Sequence, residues 1–98
     1  MSTRSKAIAT TIEDNPRVRI TEWRFTPGAE TGWHRHALDY VVVYGTSGQL
    51  LAETREGPVN VQVRVGQSYF RKAGTEHNIV NAGSQELVFV ETELKDGG

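Results

Sequence analysis

Cysteine is absent from this chain of 98 residues, histidine appears three times and proline three times. Without cysteine there are no disulfides and no thiolate ligands, so any metal has to be held by histidine, carboxylate or tyrosine, and nothing points to an oxidising compartment. No apolar run approaches the roughly 18 residues of a membrane span, and "MSTRSKAIATTIEDN" lacks the apolar core of a secretory signal, so the expected location is the cytoplasm. Eleven basic and twelve acidic residues leave a net charge of -1. They form no broad basic face, so neither nucleic acid nor a membrane is expected as a partner. At this length the chain reads as one small domain with much of its surface in water and with unpaired strand edges. A homodimer that covers them is the expected assembly.

Helical periodicity is also missing. The dominant period is two, clearest in "VNVQVRV", where Val59, Val61, Val63 and Val65 would share one face and Asn60, Gln62 and Arg64 the other. Strands are expected at 17–25, 40–44, 49–54, 59–65, 67–70, 77–80 and 87–94, all rich in β-branched or aromatic residues. Turn signals separate them at Pro27-Gly28, Gly45 to Gly48, Gly57-Pro58, Gly66, Gly74 and "NAGS" at 81–84. Many short strands at near-regular spacing predict an all-β sandwich or barrel. Residues 1–15 read as a loose arm or an exchanged edge strand ahead of a main domain over 16–95.

Within this pattern "GAETGWHRHALDY" sets His34 and His36 two residues apart. In a strand such residues point the same way, so both imidazoles can face one interior point while Arg35 faces outward. The remaining histidine, His77, opens another strand and can approach from across a barrel. A histidine in a strand is more often a surface or hydrogen-bonded residue, and an HxH pair alone is a weak metal signal.

The surrounding spacing is more specific. Gly28, five residues, then His34-Arg35-His36 resembles the first cupin motif. Gly66, five residues, Lys72-Ala73-Gly74, two residues, His77, three residues and Asn81 resembles the second. The resemblance implies a single-domain jelly-roll β-barrel, the double-stranded β-helix of small RmlC-like cupins, commonly dimeric. It also implies one divalent metal ion held by His34, His36 and His77. "WRFTPGAETGWHRH", "DYVVV", "SYFRKAGTEHNIVN" and "FVETELK" are further similar to short cupins named for β-alanine degradation.

Two positions depart from the motifs. The first motif normally continues to a glutamate ligand, and here Tyr40 and Val41 stand in its place. Asp39 lies one residue short of it and could reach the metal only if the Ala37-Leu38-Asp39 bend differs from the family's, a solvated turn carboxylate being the commoner role. Tyr40 has three readings, in descending order: core packing, hydrogen-bond donor to a bound ligand, or phenolate ligand. A phenol with a pKa near about 10 keeps its proton at neutral pH, which makes donation easier than ligation. Lys72 replaces the usual proline, and with Arg71 it either attracts an anion to the barrel mouth or, more commonly, forms a solvated turn.

Three neutral imidazoles leave a divalent ion its full double charge, so the expected ligand is a small anionic metabolite. Iron, zinc, nickel and manganese all remain open as the metal. The leading expectation is a small-molecule metalloenzyme of dioxygenase or lyase/isomerase type, with Tyr40 as the candidate catalytic hydrogen-bond donor. The alternative is a non-catalytic ligand-binding or sensor module. A purely structural clamp ranks last, because structural zinc usually has four protein ligands. Trp23, Phe25, Tyr69, Ile79, Phe89 and Glu91 are candidates for the pocket wall. Glu91 is either a general base or an ordinary surface charge.

Overall fold

Alternation of apolar and polar residues is realised as nine strands and no helix in a computed structural model that describes residues 4–95. The strands are β1 (Ile8–Asp14), β2 (Val18–Phe25), β3 (His34–Arg35), β4 (Asp39–Tyr44), β5 (Gly48–Thr54), β6 (Gly57–Val63), β7 (Ser68–Arg71), β8 (Glu76–Asn81) and β9 (Leu87–Leu94). They form a five-stranded sheet in the order β1-β2-β9-β4-β7 and a four-stranded sheet in the order β3-β8-β5-β6, with every strand pair antiparallel. The two sheets face each other as the expected jelly-roll barrel.

The inner face of the larger sheet is built in rows that follow directly from register, because side chains of paired residues stand side by side. Phe25 pairs with Leu87 at the closed end. Trp23, Phe89 and Tyr44 form the next row, then Thr21, Glu91, Val42 and Tyr69, and finally Arg19, Glu93, Tyr40 and Arg71. The barrel interior thus runs from wholly apolar to ionic along the strands. Its apolar half holds the core, with Phe25, Leu87, Tyr44 and Val63 each exposed by no more than 2% and the Phe25 and Phe89 rings 5.4 Å apart. The Tyr44 and Tyr69 hydroxyls meet at 2.5 Å. Tyr44→Phe should therefore lower unfolding free energy by about 1 kcal/mol, the ordinary net worth of one hydrogen bond, in a urea titration.

The stretch 59–65 behaves differently from its pattern. Its strand ends at Val63, and of the four valines only Val63 is core, with Val61 packed against it, while Val59 and Val65 are 50% and 65% exposed. The reason is position: β6 is the edge strand of its sheet, with a neighbour on one side only. β1 forms the opposite kind of edge. It pairs with β2 of its own chain through a bulge at Thr11 and Glu13, and every residue in it is exposed.

Candidate metal centre

His34 pairs with His77 across β3 and β8, neighbours in one sheet, so these two imidazoles stand side by side and His77 does not approach from across the barrel as its place in the sequence suggested. The strand is shorter than the two-residue spacing assumes, and His36 lies just past its end. Its backbone is held instead by the second motif: the His36 N–H donates to the Thr75 carbonyl and the Gly74 N–H donates to the His36 carbonyl, both at 2.8 Å. Gly74 makes that turn at φ +97°, a conformation L side chains rarely adopt. The result is convergence. His36 Nε2 lies 3.0 Å from His34 Nε2 and 3.3 Å from His77 Nε2, and the candidate ligand atoms of all three residues fall within 4.8 Å of one another.

Those spacings have a chemical meaning. Three imidazole nitrogens at about 2.0–2.1 Å from one ion stand about 2.9 Å apart at a right angle and about 3.4 Å apart at the tetrahedral angle. Hydrogen bonding among the rings does not account for the arrangement equally well. The Nδ1–H of His34 donates to the Gly32 carbonyl at 2.9 Å, which leaves its Nε2 as a bare lone pair. A single Nε2–H on His36 can serve only one of its two nitrogen neighbours. A cation at the common point satisfies every lone pair, so the donor set fits a divalent metal.

Burial tunes the cluster in the same direction. Removal from water, with His34 close by, lowers the pKa of His36 to about 4. The same burial, with His34, His36 and Arg71 adding to it, lowers His77 to about 4. Both rings are consequently neutral at pH 7 and available as ligands without losing a proton.

Glu91 stands beside them. Its Oε1 accepts a hydrogen bond from Trp23 Nε1–H at 3.1 Å, and its Oε2 lies 3.9 Å from His36 Nε2. Burial raises its pKa to about 7, partly countered by the Trp23 bond and reinforced by Glu93. The carboxylate borders two spaces at once. One is an inner cavity of about 20 Å³, the room of a single water-sized group, bounded by residues that include Tyr40, Tyr44, Tyr69, His77, Ile79 and Phe89. The other is an open groove of about 560 Å³ whose walls include Ala9, Thr11, Trp23, His34, Arg35, His36 and Glu93. The histidines lie between the two.

Tyr40 is 2% exposed and stacks on the His36 ring with centroids 3.9 Å apart. Burial pushes its phenol well above the usual range, followed by the repulsion of Glu91, so it keeps its proton. Asp39 accepts a hydrogen bond from the Ala73 N–H at 2.7 Å, which makes it a brace for the turn that carries the second motif. Arg71 lies on the inner face of β7 with its guanidinium 4.1 Å above the Tyr69 ring, while Lys72 is exposed in the turn. Trp23, Tyr69, Ile79 and Phe89 reach the site walls, and Phe25 is wholly core. Three participants carry no local signal in the sequence: Thr31, Gly32 and Asn78, which surround the Nδ1 side of His34.

Comparison with known proteins agrees with this geometry. The family model of the cupin domain matches residues 21–93. The chain is 59% identical over 95 residues to the β-alanine degradation protein BauB of Pseudomonas aeruginosa, an alignment that covers 97% of this chain and all of the relative. Among solved structures, a cupin domain from Bordetella pertussis is 56% identical, with a TM-score of 0.93 over 97% of this chain and 99% of its own. The polyketide cyclase RemF of Streptomyces resistomycificus shares the fold alone, with 19% identity and a TM-score of 0.74 over 95% of this chain and 70% of its own. Two histidine motifs brought to one point between facing antiparallel sheets, and a family match spanning both, place the chain in the cupin family.

Proposed function

We propose that the protein is a divalent-metal-dependent enzyme that acts on a small anionic metabolite, with His34, His36 and His77 as the metal ligands. The observation that carries this reading is the convergence of three Nε2 atoms, at 3.0 and 3.3 Å, on a point beside an open groove. An ion held there would supply Lewis-acid chemistry or, if iron, oxygen-dependent chemistry. The chain's own residues do the rest. Neutral imidazoles leave the site doubly positive, which favours a carboxylate as the incoming group. Glu91 holds or accepts a proton at Oε2, next to the ligands, while Trp23 fixes its other oxygen. Tyr40 supplies a neutral hydrogen-bond donor from the inner cavity. The name of the Pseudomonas relative fits a carboxylate as the incoming group, since β-alanine carries one. Cytoplasmic location and a homodimer complete the reading. The dimer would cover Val43 and Phe70, 42% and 49% exposed on the outer face of the larger sheet.

The test is turnover. Protein loaded anaerobically with Fe(II) should consume oxygen when a short thiol acid or 3-oxo acid is added, or protein loaded with zinc, nickel or manganese should convert such an acid without oxygen. No product with any of these metals across the panel would refute an enzyme of this class. The non-catalytic reading, a module that holds a carboxylate on the metal, is favoured by one observation: Tyr40 borders the inner cavity and not the groove. It expects saturable binding with no product.

A further inference from the structure

Asn78 follows His77 in β8 and faces the opposite way, onto the outer side of the smaller sheet, where it is 6% exposed. Its amide uses its full bonding capacity. Nδ2 donates to Glu30 Oε1 and to Glu53 Oε1, both at 2.8 Å. Oδ1 accepts from the Gly32 N–H at 2.9 Å and stands 3.3 Å from Thr31 Oγ1. The partners fix the orientation of the amide, because carboxylates need its donors and a backbone N–H needs its acceptor. Gly32 lies at φ +89°, and in that conformation its carbonyl is aimed at Nδ1 of His34.

The far side of the network is closed by the start of the chain. Arg4 Nη1 donates to Glu30 Oε1 at 3.2 Å and to Glu53 Oε1 at 3.1 Å, and its Nη2 donates to Glu53 Oε2 at 3.2 Å. The Ala7 N–H donates to the Glu30 carbonyl and the Glu30 N–H to the Ser5 carbonyl, at 2.8 and 2.9 Å. One chain of contacts therefore runs from Arg4 through two carboxylates to Asn78, then through Gly32 to His34.

We propose that Asn78 is a positioning residue for the ligand His34, and that Arg4 holds Asn78 in that role. The N-terminal segment 4–7 thus sets the metal affinity of a site built on other strands. The physical reason is tautomeric. With the Gly32 carbonyl in place the ring proton sits on Nδ1 and Nε2 is bare; with the carbonyl turned away the proton is free to move to Nε2, which then cannot ligate. The inference rests on the metal reading above.

The experiment compares zinc affinity, by competition with a chromophoric chelator, and the ¹⁵N spectrum of the histidine rings in the full chain. Asn78→Ala should weaken zinc binding about 10- to 100-fold. Arg4→Gln should weaken it less, about threefold to tenfold, and should add little to Asn78→Ala, because both act along one path. The Nδ1–H signature of His34 should fade in both variants before zinc is added. Wild-type affinity and an unchanged His34 signature in both variants would overturn the proposal, as would full additivity of the two. Should Asn78→Ala fail to fold, the exposed Arg4→Gln decides on the same two readouts. Zinc retained by His77→Ala is a different failure, since it removes the metal reading itself.

Discussion

His77→Ala should abolish stoichiometric metal in protein purified without chelators or a histidine tag, with elemental mass spectrometry as the measurement. The expected loss of affinity is at least about 10³-fold, roughly 4 kcal/mol. The size follows from geometry. His36 and His34 alone leave an ion with two ligands, and the third comes from β8, the strand beside β3 in the same sheet, in register with His34. Circular dichroism should show the fold intact, because His77 borders the inner cavity and belongs to no ion pair among the described residues. Full metal occupancy in the variant would refute the ligand assignment. Stoichiometric iron in the wild type would direct substrate screens to oxygen-dependent chemistry, and zinc, nickel or manganese to Lewis-acid chemistry.

Glu91→Gln should have two effects. In metal-free protein it should be stabilising at pH 8, by about 3 kcal/mol, because the fold moves the Glu91 pKa from an ordinary 4.5 to about 7. The sign follows from proton binding. A raised pKa means the folded state favours the protonated acid, so the stabilisation is complete below pH 4.5 and is lost as pH rises through 7. Glutamine keeps the acceptor for Trp23 and never ionises, so wild type and variant should coincide near pH 4 and diverge above it. His36 and His77 act in the other direction: their lowered pKa values give stability that is present above pH 6.5 and lost as pH falls through 4. Wild-type stability should rise with pH and level off near pH 7, while the variant should climb more steeply over the same range and level off higher. Chemical denaturation across this range measures both curves, and parallel curves would contradict the burial of the charge.

The second effect concerns the metal. Since His36 and His77 are already neutral at pH 6.5, the numbers of protons the two proteins release on metal uptake should differ by about one per ion, the wild type releasing more through Glu91. Titration calorimetry in buffers of different ionisation enthalpy gives that number. Equal release in both proteins would mean that Glu91 does not sense the ion.

Some of this was legible along the chain and some was not. β-branched and aromatic content identified the strand at 40–44, which is β4 less its first residue, and the strand expected at 87–94 is β9 residue for residue. The three histidines were marked by motif spacing, which is local. The valines of 59–65 were misleading because an edge strand and a central strand can share one pattern, and what decides between them is the neighbour, which only topology supplies. β1 has no alternation to read, since both of its faces are wet. The Trp23 and Glu91 pair spans 68 residues and depends on the register of β2 against β9. Asn78 has the same difficulty. An asparagine in a strand is usually a neutral surface choice, and only the placement of Glu30, Glu53 and Gly32 around it gives it a task.

The rows along the inner face of the larger sheet mean that parity, as much as composition, encodes the chemistry. Deleting Val90 alone would leave the strand its length in hydrogen bonds but would turn Glu91 to the outside and bring Thr92 in beside His36. A frame of one residue thus separates an interior with an acid next to its histidines from one without, and tolerance of single-residue deletions should be lowest in β9.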